Sequence, residues 1–238
     1  MKGLKNWDNK TWLSSKSYIS SFNSFLLDKK KLNKNSKILD IGCGRGKIFG
    51  SLSRNLKLIY KPIGIDPITH KNMDKSIDFR NEDVFKFFKT NQNKFDLIMI
   101  KQSLHFFNKN KRKKLIKVCK ENLNKNGVLL ILSLKISNNE IPCFKLMKQK
   151  LNQGLKRDYR MLKSTCKILK DFELDKFRFK VSLTKKNYIK MLKRKYISCL
   201  LNLSKNQINK GINEIEINFN KRITFEDTLE SIQYRKNK

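Results

Sequence analysis

Three points along the chain combine carboxylates, glycines and strand ends in a pattern that can hold a nucleoside. At the first, the apolar run Ile38-Leu39-Asp40-Ile41 is followed by Gly42, Gly44 and Gly46, a glycine at every second position. Glycine permits positive φ and lets a ligand come close to the backbone. A helix starting there aims its free N–H groups into the same crevice. The second point is Asp66, twenty residues beyond Gly46, where a carboxylate can accept from both hydroxyls of a ribose. The third is Asn81-Glu82-Asp83-Val84. A carboxylate and a backbone N–H there can read the edge of an adenine.

The spacing argues against a phosphate ligand at these points. A dinucleotide fingerprint needs Gly-x-Gly-x-x-Gly, and here the third glycine arrives one residue early. The phosphate loop of nucleotide hydrolases fails too, because Ile48 follows Gly46-Lys47 where Ser or Thr belongs. Pyrophosphate favours a neutral or positive lining, whereas Asp40, Asp66, Glu82 and Asp83 suit a ligand carrying positive charge. A sulfonium bearing an amino-acid tail and an adenosine is such a ligand.

The elements that must position these residues alternate strand and helix. Strands are expected at 37–40, 58–65, 77–79, 95–100 and 128–134, each followed by a helix or a weak helical stretch, including one over 69–76 and one opened by Asn108 or Asn110. That alternation implies a parallel sheet with right-handed crossovers, whose ligands bind at the carboxyl ends of the strands. Before the sheet, Trp12, Tyr18, Ile19, Phe22, Phe25 and Leu26 repeat at helical spacing, predicting a helix over about 14–30 capped by Ser14 or Ser15. After it, 139–170 reads as helix and 173–183 as an alternating strand; Thr184 and Ser204 cap two further helices, and 223–234 is the last strand. The whole is read as one domain: a lid segment over 1–36, a cofactor-binding core over 37–135, and cap helices with the last two strands over 136–238.

Taken together, Ile38 to Gly46 resembles the first motif of class I S-adenosylmethionine-dependent methyltransferases. Gly64-Ile65-Asp66 resembles the second and Asn81 to Val84 the third. Phe95-Asp96-Leu97-Ile98 with Gln102 to Phe106 resembles the fourth, and Leu123 to Leu130 the approach to strand five. The resemblance implies a Rossmann-like α/β fold with seven strands, mostly parallel, the last antiparallel, and S-adenosylmethionine as cofactor. It also implies roles for single residues. Gly42, Cys43 and Gly44 would lie against the methionine part, with Gly46 also among the cofactor-binding residues and Asp40 acting near that end through water or the ammonium. Asp66 would hold the ribose, Asp83 and the Val84 backbone the adenine, and Gln102 would lie beside the methionine moiety or the sulfonium. His105, just past strand four, is the candidate catalytic or substrate-contact imidazole, and Trp12 and Tyr18 are the candidate lid residues. Arg45 and His70 read as surface residues, and Glu82 as a solvated loop residue.

The net charge of +35 invites a nucleic-acid reading. Composition explains the charge otherwise. The chain has no alanine, four valines and three prolines, and 45 lysines against 10 arginines. Every one of these biases follows AT-rich codons, whereas nucleic-acid surfaces favour the forked arginine. Base methylation would also call for a Pro-Pro-aromatic turn after strand four, which Lys101-Gln102-Ser103-Leu104 lacks. A small-molecule acceptor is therefore expected, methylated on oxygen or carboxylate. The loose similarity of the late helices and last strand to trans-aconitate methyltransferases points the same way. An RNA methyltransferase using the lysine-rich surface and a non-catalytic cofactor-fold protein are the alternatives. Five scattered cysteines without a Cys-x-x-Cys pair, and only two histidines, predict reduced thiols in the cytoplasm and no metal. No apolar run is long enough to span a membrane.

Overall fold

The computed structural model describes residues 8–237. The first seven residues of the expected lid segment lie outside them. Seven strands form one sheet: β1 (Ile38–Ile41), β2 (Ile63–Ile65), β3 (Asp78–Arg80), β4 (Phe95–Lys101), β5 (Leu123–Leu134), β6 (Glu173–Thr184) and β7 (Arg222–Arg235). Their order is β3-β2-β1-β4-β5-β7-β6. The first five are parallel, and β7 runs antiparallel between β5 and β6. The Rossmann-like α/β architecture with a reversed last strand is thus present. The strand order turns back at β1 and β4, and a ligand crevice opens at such a point.

Seven helices cover the sheet: α1 (Lys16–Lys29), α2 (Lys47–Leu56), α3 (Val84–Thr90), α4 (Lys109–Glu121), α5 (Lys145–Leu169), α6 (Lys185–Lys193) and α7 (Lys205–Asn218). Because the central strands are buried on both faces, they read as unbroken apolar runs. In β4, Leu97 and Met99 enter one core together with α1, α2, α6 and α7. Ile98 and Ile100 enter the other, under α3 and α4. Long α5 contributes to both, with Met147, Leu151 and Leu155 on the first side and Met161, Leu162 and Leu169 on the second. At the far edge, β6 turns Lys176, Arg178 and Lys180 outward, a charge row that discourages pairing with another strand.

The caps agree with the sequence. Ser15 accepts from the Tyr18 N–H, Asn108 from Lys111, Thr184 from Asn187 and Ser204 from Gln207. Other expectations change. The second strand is only Ile63–Ile65, because Lys57 takes φ 51° to end α2 and Ile59 is tied to the Lys34 carbonyl at 2.8 Å. No helix forms over 69–76. Asp74 is instead drawn beneath α2, where it pairs with Arg54 at 2.6 Å and Lys47 at 3.7 Å.

Candidate active site

The turn after β1 is held against the end of β2: the N–H groups of Gly42 and Cys43 both donate to the Ile65 carbonyl, at 2.8 and 3.1 Å. Gly42 has φ 78°, and a Cβ there would lie 2.5 Å from that of Ser103. Only glycine lets the loop after β4 seat on the turn. Ser103 completes that seat by donating its hydroxyl to the Ile41 carbonyl at 2.8 Å. Gly44 is different. It has φ 55°, and a Cβ there would meet nothing within 4 Å, so its backbone faces open space. Gly46 caps α2 in the left-handed conformation. Cys43 turns its sulfur over Gly64, and burial, with Asp40 and Asp66, pushes its thiol far up.

Asp66 accepts the Gly44 N–H at 3.0 Å with one carboxylate oxygen and the Ile68 N–H at 2.9 Å with the other. Its backbone carbonyl accepts from Asn81 at 3.1 Å, which ties the second motif to the third. His70, read from sequence as a surface residue, is buried, with Nε2 3.8 Å from the Asp66 carboxylate. Its neighbour in space was invisible because the turn at Pro67 folds the chain back. Asp83 caps α3, accepting the Phe85 N–H at 2.8 Å, and Val84 is buried behind it.

Asp40 is 4% exposed, and its Oδ1 has no hydrogen-bond partner among the described residues. Burial raises its carboxyl to about 7; Lys101 opposes the rise and Asp66 adds to it. An undonated buried carboxylate oxygen is costly, and an ammonium is the group that relieves it. With Asp66 at the next strand end, bonded to the open Gly44 turn, the residues present fit a nucleoside carrying an amino-acid tail.

Around Asp40 the structure assembles Lys101 and, through it, Asp227, which the sequence did not single out. Lys101 ends β4 and is held near Asp227, Asp40 and Asp8; burial lowers its ammonium, and the three carboxylates oppose that. Its Nζ lies 5.6 Å from the Tyr18 ring and 5.5 Å from the Phe22 ring, within cation–π range. Asp227 of β7 is raised by burial and held down by its partners Trp12 and Lys101. Trp12 donates its indole N–H to Asp227 at 2.8 Å. Arg45, expected at the surface, is 7% exposed and grips Asp8 with three contacts of 2.9 to 3.1 Å. Trp12 and Tyr18, the candidate lid residues, are both in the core. Tyr18 stands edge-on to Phe177 and Phe179, and its hydroxyl has no hydrogen-bond partner among the described residues. Gln102 has φ 52°, rare for a side-chain-bearing residue; its N–H donates to Leu132 at 2.8 Å and its Oε1 accepts from Lys101 at 3.3 Å.

His105 is brought elsewhere. It sits in a short 3-10 turn, Leu104–Phe106, and faces Arg157 and Asp158 of α5 rather than Asp40 and Lys101. Burial lowers its imidazole, Asp158 raises it and Arg157 lowers it. Among the described residues no His, Cys, Asp or Glu group could hold a metal ion, and no helix is long and apolar enough to cross a membrane.

Residues 38–127 match the family described as methyltransferase domain. No curated protein matches. Among solved structures, the plantazolicin methyltransferase crystallised with SAH is 17% identical, with 98% of this chain and 88% of that one covered and a TM-score of 0.54. A proposed methyltransferase of an antibiotic biosynthesis pathway from Anabaena variabilis is 14% identical, covering 88% of this chain and 95% of its own, with a TM-score of 0.59. A proposed methyltransferase from Bacillus halodurans is 15% identical over 92% of this chain and all of its own, with a TM-score of 0.52.

Proposed function

We propose that this chain, whose residues 38–127 match a methyltransferase domain, uses S-adenosylmethionine to methylate a small anionic acceptor, on a carboxylate or another oxygen, in the cytoplasm. S-adenosylmethionine, when bound, supplies a methyl group on a positively charged sulfur. The observation that carries the cofactor assignment is the undonated oxygen of Asp40, on the strand that leads into the open Gly44 turn. In this reading Asp40 receives the ammonium, Gly42, Cys43, Gly44 and Gly46 line the methionine tail, and Gln102 flanks the sulfonium. Asp66 takes the ribose hydroxyls, and Asp83 with the Val84 N–H takes the adenine.

The acceptor would lie toward Lys101, Asp227, Trp12 and Tyr18. These side chains come from four parts of the chain and are packed closely, which supports a small acceptor over a macromolecular one. Trp12 and Tyr18 then act as a fixed wall of the site, because both are core residues. Lys101 offers a desolvated cation to a carboxylate. A carboxylate acceptor has no proton to lose, so holding and orienting it is the enzyme's main task. His105 faces α5 instead, so it would touch only an acceptor that reaches past this group.

Calorimetric titration with S-adenosylhomocysteine tests the cofactor half. Stoichiometric binding, strongly weakened in Asp66→Ala, is expected. No binding by the folded wild-type protein contradicts the proposal.

A further inference from the structure

Beside His105, α4 and the middle of α5 enclose a cleft of about 320 Å³ that the cofactor assignment leaves unused. Lys109, Arg112, Arg157, Arg160 and Ser164 line it with His105. Three of the ten arginines in the sequence meet here, against one of the 45 lysines. Codon bias explains a lysine-rich surface, but not a concentration of the residue that it disfavours. Arginine differs from lysine in its planar fork, which matches phosphate oxygens two at a time.

The cations are only partly neutralised. Arg157 shares its guanidinium with Asp158, at 3.1 and 3.2 Å, and Arg112 donates to the Phe107 carbonyl at 2.6 Å. The Arg160 and Lys109 side chains have no hydrogen bond or ion pair among the described residues. Exposed Phe106 and Tyr159 adjoin His105 and Arg160 in the chain. The cleft starts two residues from Ser103, which is seated on the glycine turn, so a ligand held here has one end close to the transfer site.

We infer that this cleft is a phosphate-binding site that anchors a phosphate monoester carried by the acceptor. Its size suits one phosphorylated group rather than a length of nucleic acid. The acceptor role rests on the methyl-transfer reading; the binding of phosphate does not.

The test titrates inorganic pyrophosphate into three proteins at about 0.15 M ionic strength, where the Debye length is about 8 Å and diffuse surface attraction is screened. They are the wild type, Arg157→Gln/Arg160→Gln, and a charge-matched control, Lys186→Gln/Lys210→Gln, with both lysines exposed on α6 and α7. One saturable site is expected in the wild type, weakened at least tenfold by the arginine pair and less than twofold by the lysine pair. Equal weakening in both variants, or no saturable binding, overturns the site. S-adenosylhomocysteine is titrated into the same proteins with and without pyrophosphate. Unchanged affinity for it in all three, without competition, is expected. Competition would place the anion in the cofactor crevice and overturn the inference. Pyrophosphate binding without any S-adenosylhomocysteine binding would refute the methyl-transfer reading while leaving the phosphate site standing.

Discussion

Gly42, Gly44 and Asp66 are placed by main-chain hydrogen bonds at adjacent strand ends, whereas Trp12, Tyr18, Lys101 and Asp227 meet as side chains from distant parts of the chain. The first group depends on local geometry: positive φ, a close approach to Ser103, and a turn fixed by Ile65. The second depends on packing around charges withdrawn from water, with Trp12 and Asp227 separated by 215 residues. The two halves should therefore fail differently. Damage to the turn should cost ligand affinity first. Damage to the wall should cost stability first, because breaking a buried polar pair leaves its partner unsatisfied.

Asp66→Ala gives the largest expected effect. Losing charge-assisted bonds to two hydroxyls should weaken S-adenosylhomocysteine binding about 100-fold, since such bonds contribute about 1.5–3 kcal/mol each. Calorimetry reads this directly, and a change under threefold would remove the ribose assignment. Trp12→Phe should destabilise the protein by about 1–3 kcal/mol by leaving Asp227 without its N–H donor, as measured by urea unfolding. A purely local change of ligand affinity at full stability would break the contrast between the halves.

The pH dependence sharpens it further. The Asp40 carboxyl is raised by burial to about 7 in the folded protein, above its unfolded value of about 3.9. The folded state then holds this proton longer than the unfolded state does. As pH rises between those two values, stability from this group falls, and above 7 the whole penalty is present. Asp40→Asn should thus raise the melting temperature of the ligand-free protein at pH 8 and leave it nearly unchanged below pH 4, as calorimetric scans would show. Because an ammonium needs the ionised carboxylate, S-adenosylhomocysteine affinity should drop about tenfold from its plateau by pH 6. The variant should lose that dependence. Lys101, Asp66, Asp227 and Asp8 also face this region, so the slope left in Asp40→Asn measures their share. Ser103→Ala should give the smallest effect, about 1 kcal/mol of stability for the lost bond to Ile41.

The same contrast separates what could be read from the sequence from what could not. The glycine turn, the strand-end carboxylates and the caps at Ser15, Asn108, Thr184 and Ser204 are each written within a few residues, because a cap or a turn is a local solution to local orphan N–H groups. Arg45 looked like a surface charge because Asp8, 37 residues away, is what allows its burial. Residues 69–76 looked weakly helical because nothing local says that Asp74 will be taken up by Arg54. Lys101 and Asp227 were passed over for the same reason: a buried charge is legible only through partners that the fold brings to it. Tyr18, by contrast, was marked as an apolar periodic position and Phe177 falls within the expected strand 173–183, yet their edge-on contact appears only in the folded chain.

The account stands or falls on methyl transfer. The most direct measurement is to incubate the purified protein with methyl-labelled S-adenosylmethionine and a cell extract, then find the labelled product by mass spectrometry. The account predicts one low-mass anionic product, with its formation abolished in Asp66→Ala. Label found only in RNA or protein, or no labelled product from an enzyme that binds the cofactor, would contradict it.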